Sequence, residues 1–182
     1  MDTAETVPQR TEPTDNGATA QRFMRAMRER DYGTMADALA PDVVIHSPIT
    51  ESFQFRGRGD ALAVLKIVAE AMGEIEHHEL VGAGEVWTQR FTVRVRGRRL
   101  EGMDFIRFDG EGRLAELTVF MRPLPGLAAF AAGVAPRVGR RRGLLTMIAL
   151  RLLIEPLALI TRQGDRLVGW LLRDTWGRGA QA

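Results

Sequence analysis

At 182 residues, 45% apolar and 26% charged, the chain has the size and composition of one globular domain with an appendage. It has no cysteine and only three histidines, His46, His77 and His78, which excludes a disulfide framework and a thiolate metal site and leaves little material for a zinc site. The net charge of +2 conceals a split: residues 1–126 hold 16 Lys and Arg against 20 Asp and Glu, a net −4, whereas residues 127–182 hold 9 Arg against 3 acids, a net +6. A basic tail of this kind suits an anionic surface, lipid or nucleic acid.

Residues 1–19 are polar and lack the basic start and apolar core of a signal peptide or anchor. They read as a disordered leader, and a cytoplasmic location is the expectation. The spacing of Phe23, Met24 and Met27 predicts a helix over 20–30, broken at Tyr32-Gly33. A short helix follows over 34–39, with Thr34 as its N-cap. VVIHSPI reads as a short strand stopped by Pro48. Beyond the loop FRGRGD, Asp60 is placed to cap a helix with the stripe Leu62, Leu65, Val68, Ala69 and Met72, ended by Gly73.

Residues 85–96 alternate, with Trp87, Phe91, Val93 and Val95 on one face and Arg90, Thr92, Arg94 and Arg96 on the other. LEGMDFIRF, the tight turn DGEG and the run 114–122 complete the strands. Helices first and long hairpins after them predict an α+β fold, a curved antiparallel sheet wrapped on N-terminal helices, over residues 20–126. Residues 127–182 form a helical extension. The sequence contains no P-loop, GxGxxG, GxSxG or HExxH motif.

On LEGMDFIRF, Leu100, Asp104, Ile106 and Phe108 share a face, opposite Arg99, Glu101, Met103, Phe105 and Arg107. A carboxylate in register with apolar residues is paired, protonated or solvated by a pocket, and desolvation raises its pKa. Asp104 is therefore a candidate acid or hydrogen-bond donor. His46 and Ser47 stand at the strand end before Pro48, and alternation turns only one of them inward. His46 is a candidate base near neutral pH. A Ser47–His46–Asp104 nucleophile is disfavoured, because adjacent residues on a strand point apart. Phe23, Trp87, Phe91, Ile106, Phe108 and Phe120 are the candidate walls of an apolar pocket. The arginines of 90–99 have no interleaved aromatics, which argues for a solvated sheet face rather than a nucleic-acid site.

Three stretches, QRFMRAMRERDYGTMADALAPDVVIHSP, FRGRGDALAVL and GMDFIRFDGEGRLAELTVFMRPL, resemble the NTF2-like superfamily, in its SnoaL-like and ketosteroid-isomerase-like branch. The resemblance covers about residues 20–126 and implies a cone-shaped barrel with a small-molecule pocket. In the steroid isomerases of this branch a tyrosine donor falls at Phe23, the aspartate base at Ser47 and a protonated aspartate at Asp104; ketosteroid isomerase is itself a known example of a carboxylic acid kept neutral by an apolar site. Only the last is retained, so isomerisation by the family's usual route is not expected. The implied ligand is an apolar, steroid- or polyketide-like small molecule, with neither metal nor cofactor. The implied role is an isomerase- or cyclase-type enzyme, or alternatively a ligand-binding or oligomerising module without chemistry.

In the tail, GLLTMIALRLLIEPLALI is nearly long enough to span a bilayer, but Arg151 and Glu155 interrupt it. Arg151, Glu155, Arg162, Arg166 and Arg173 fall on one helical stripe, Pro156 is a kink site and Gly164-Asp165 is a stop. Three readings stay open: packing on its own barrel, a homodimer interface, or peripheral contact with membrane through residues 137–173, where RRR at 140–142 meets lipid phosphates.

Overall fold

The structure, a computed structural model, describes residues 15–176. The leader expected over 1–19 lies outside the described residues as far as 14, but from residue 16 the chain is helical. The helix α1 (Asn16–Glu29) is capped by Asp15, whose carboxylate accepts from the Ala18 amide at 2.9 Å. It ends at Arg30 in the left-handed region, with φ of 58°. The cap of α2 (Tyr32–Ala38) is Asp31, not Thr34: the Asp31 carboxylate accepts from the amides of Gly33 and Thr34 and from the Thr34 hydroxyl. An acidic side chain with two oxygens satisfies more orphan donors than a single hydroxyl.

Strand β1 (Leu39–His46) leads through β2 (Phe55–Arg56) into α3 (Arg58–Ala71). The N-cap of α3 is Gly57, with φ of 80°, and Asp60 sits in the first turn as a dipole partner rather than the cap. Arg58 reaches back to donate two hydrogen bonds to the Leu39 carbonyl, at 2.6 and 3.0 Å, which fastens α3 to β1.

The remaining strands are β3 (Ile75–Ala83), β4 (Val86–Val95), β5 (Arg98–Phe108) and β6 (Leu114–Arg122), and the sheet order is β2-β1-β6-β5-β4-β3. β4 through β6 form the expected antiparallel meander, and β3 adds an edge strand beside β4 that the sequence did not predict. β1 instead runs parallel to β6, with Val44 opposite Glu116 and His46 opposite Thr118. The connection between them holds a helix and four strands, ample for a parallel crossover. Gly102 lies directly under the Phe91 ring, where any Cβ would overlap the ring, so glycine there lets an aromatic fold flat onto the inner face.

Two core clusters fill the cone. The narrow end joins Phe23, Met24 and Met27 of α1 to Ile106, Phe108, Leu114 and Leu117 of the sheet. The wide end joins Phe91, Val93, Val95 and Leu100 to Phe130 and Val134 of α4 (Leu124–Arg140). α4 is thus part of the barrel core, and the boundary expected after residue 126 falls inside it. After Arg140 the chain turns into α5 (Leu144–Trp176), which runs on past Gly164-Asp165 without stopping. Ile154 packs on Ala131 and Ala132 of α4. Gly139 admits this approach, since a Cβ there would meet Leu150 at 2.7 Å. Arg96, at the end of β4, donates to both carboxylate oxygens of Glu155 at 3.0 Å. Of the three readings of the tail, packing on the barrel holds for this one face.

Candidate functional site

Between sheet and helices lies a cavity of about 360 Å³. α1 contributes Phe23, Met24 and Met27, α3 contributes Val64, Leu65 and Val68, and the sheet contributes Phe91, Leu117, Val119 and Met121. Phe130, Val134 and Val138 of α4, with Leu150, Leu153 and Ile154 of α5, close the wide end. Strand alternation turns the apolar residues of β4, β5 and β6 inward, and the helices present their apolar stripes to them.

Asp104 is the one acidic side chain in this lining. On β5 it sits between Gln89 of β4 and Val119 of β6, facing inward with Gly102 and Ile106. The Gln89 amide does not serve it; its nitrogen donates to the Arg90 carbonyl at 2.7 Å. Among the described residues no group donates a hydrogen bond to the Asp104 carboxyl, so nothing offsets the loss of solvent. The residue keeps some accessible surface because the carboxyl faces the cavity, yet protein surrounds it. Burial alone pushes its pKa up to about 7.

His77 shares the cavity and was not singled out by the sequence as a site residue. On β3 it lies opposite Phe91, just before the irregularity at His77–Leu80, and points inward while His78 points out. Burial pushes its pKa down to about 4, helped by the positive charges of Arg28 and His78. β3 reads IEHHELVGA, with few strong strand formers, so its alternation is faint in the sequence. The adjacency of two histidines was the available signal, because on any strand one of them must face inward. His77 and Asp104 stand two strands apart, roughly 10 Å across the sheet by interstrand spacing.

The other expected site residues divide. Phe23, Phe91, Ser47 and His46 all border the cavity. The imidazole of His46, however, turns to the outer face: Nε2 lies 3.0 Å from Glu116 and Nδ1 lies 3.1 Å from the Gln54 amide. The parallel register beside Thr118 puts it there, with Ile45 inward. The Ser47 hydroxyl oxygen accepts from the Ile49 amide at 3.1 Å and shapes the loop after β1. A Ser47–His46–Asp104 relay is therefore not assembled.

Ile106 and Phe108 are buried below the cavity in the narrow-end core and do not line it. Trp87 packs against α1, where a Cβ on Gly17 would meet its ring at 2.7 Å, and its indole nitrogen donates to the Gly84 carbonyl. Phe120 is a correction: it is 54% exposed on the outer face beside Met103, because β6 turns Leu117, Val119 and Met121 inward. Among the described residues no group of three His, Asp or Glu side chains is placed to hold a metal ion.

A model of the SnoaL-like domain matches residues 20–117. The chain belongs to the SnoaL-like family. A steroid delta-isomerase from Pseudomonas aeruginosa is similar in structure and sequence, with a TM-score of 0.65 and 27% identity over 71% of this chain and 95% of that one. A protein from Shewanella denitrificans assigned as a SnoaL-like polyketide cyclase shares the fold, at a TM-score of 0.50 and 19% identity over 59% of this chain and 90% of its own. An uncharacterised protein with a cystatin-like fold from Silicibacter pomeroyi gives 0.63 and 26% identity, over 66% and 84%. No curated protein matches the sequence. All three positions at which the resemblance puts chemistry, Phe23, Ser47 and Asp104, border the same SnoaL-like cavity.

Proposed function

We propose that the cavity takes an apolar, ring-sized compound bearing a carbonyl group and promotes a cofactor-independent proton shift on it, in the manner of an isomerase or cyclase. The observation that carries this is Asp104, a carboxyl pushed up to about 7 in a largely apolar lining and without a donor among the described residues. In its neutral form it donates to the carbonyl oxygen and stabilises the enolate that forms when an adjacent proton leaves. His77, pushed down to about 4, is neutral across the physiological range, so it can take that proton. The steroid delta-isomerase and polyketide cyclase among the structural neighbours support the substrate class. The usual isomerase donor and base are replaced by Phe23 and Ser47, so 3-oxo-Δ5-steroid isomerisation at the rate of family enzymes is not expected. The same replacements favour a second reading, a ligand carrier without chemistry.

One comparison separates the two. The ketone 1-tetralone should bind about tenfold tighter than the hydrocarbon tetralin below pH 7, the worth of one hydrogen bond. That preference should fade as the pH rises past 7 and be absent in Asp104→Leu. In deuterated water the ketone should lose its α-protons faster with the protein than without it, and His77→Phe should abolish the gain while leaving binding intact. Binding without exchange selects the carrier, and equal binding of ketone and hydrocarbon at every pH contradicts both readings of Asp104.

A further inference from the structure

The face of α5 that turns away from α4 is apolar along most of its length. Leu145 is 83% exposed, Leu152 and Leu153 are 71% exposed, and Ile160, Leu167 and Trp170 continue the surface. In the 25-residue stretch Leu144–Val168 only 6% of the most apolar window is buried. So large a continuous apolar surface marks an interaction site. The turn that leads into it carries Arg137, Arg140, Arg141 and Arg142, all exposed, and among the described residues none of the salt bridges involves them. A stripe with Arg151, Glu155, Arg162 and Arg166 flanks the apolar arc on one side. Apolar arc, charged flank and basic entry together match a helix lying in the headgroup layer of an anionic membrane. The middle of the helix is held against the barrel, where Ile154 packs on Ala131 and Ala132 and Glu155 is bonded to Arg96, which favours lying along the membrane over crossing it. Leu153 joins this surface to the cavity, since it is exposed on the apolar arc and also lines the pocket beside Leu150 and Ile154.

We propose that α5 seats its apolar face in an anionic bilayer, with the arginine cluster on the phosphates, and that apolar ligand enters the cavity from the bilayer past Leu153. The entry route rests on the pocket reading above; the docking does not. Seated this way, a compound too insoluble to cross water reaches Asp104 without leaving lipid.

The test uses the full chain with vesicles of phosphatidylcholine, alone or with phosphatidylglycerol, and the apolar fluorophore N-phenyl-1-naphthylamine as the cavity probe. Wild type should cosediment with the anionic vesicles, release in high salt and bind the neutral ones weakly. Replacing Arg140, Arg141 and Arg142 by Gln should weaken binding by about a hundredfold. The triple variant Leu145→Gln, Leu152→Gln and Ile160→Gln, all at exposed positions that leave the packed face untouched, should lose it as well. Both variants should take up the fluorophore from water as wild type does, but receive it from anionic vesicles several times more slowly. Absence of vesicle binding, with a dimer that the Leu/Ile variant dissociates, overturns the docking and gives the face to a second copy. Vesicle binding without fluorophore uptake overturns the pocket reading and the entry route with it. Equal transfer rates for wild type and variants overturn the entry route.

Discussion

Asp104→Asn should change the pH dependence of stability in one direction and His77→Gln in the other. The native Asp104 carboxyl keeps its proton to about pH 7, whereas the unfolded chain releases it near 3.8. Its contribution is fully present below 3.8 and is lost as the pH rises to 7, a change of about 4 kcal/mol at 1.36 kcal/mol for each pH unit. His77 runs oppositely. The unfolded imidazole takes a proton below about 6.5, which the native one refuses until about 4, so stability is fully present above 6.5 and lost as the pH falls to 4. That loss is about 3 kcal/mol. Between pH 4 and 6.5 the two slopes cancel, and the pair leaves the wild type nearly flat. Urea unfolding at a series of pH values exposes each slope by difference. Relative to wild type, Asp104→Asn should gain about 4 kcal/mol from pH 4 to 7, and His77→Gln should lose about 3 kcal/mol from pH 4 to 6.5. A difference curve flat in pH for either variant means that the group is not desolvated.

Phe130→Ala should be among the most costly single substitutions in the chain. Phe130 is 2% exposed and packs with Phe91, Val95 and Leu100 at the wide end of the cone, and it also walls the cavity. Truncating it removes the transfer energy of a buried ring and opens a void that joins the existing cavity, which the sheet is too rigid to close; the cost is about 4 kcal/mol. Denaturant unfolding should register it at unchanged m-value. A cost below about 1 kcal/mol means instead that α4 is a removable appendage and that the barrel ends near residue 126, as the composition of the tail suggests.

Much of this was legible in the sequence, for identifiable reasons. Asp104 interrupts an otherwise apolar period-two face on a strong strand, and that signal depends on nothing outside the strand. The inward turn of Ile45 over His46 is a matter of strand parity, although Pro48 obscured which parity applied. Phe120 misled because an aromatic beside Val119 and Met121 looks like core; only the register against β5 says which of them turn inward. Trp87 sits at the right parity, but α1 begins four residues earlier than its apolar spacing suggested and brings Gly17 against the ring. The role of α4 was hidden for a different reason. Its small, apolar stretch GLAAFAAGVA has the composition of a tail, and only the tertiary partner shows that Phe130 and Val134 complete the core. β3 escaped because the irregularity between His77 and Leu80 breaks its alternation and a histidine stands between Ile75 and Leu80 on its inner face.

The most direct measurement is an NMR titration of the Asp104 side-chain carboxyl carbon in the full chain, assigned by comparison with Asp104→Asn. The cavity described above requires a midpoint near 7 and a carboxyl neutral at pH 5. A midpoint at or below 4 would mean that the carboxyl is solvated or paired, and would remove the hydrogen-bond donor on which the proposed chemistry depends.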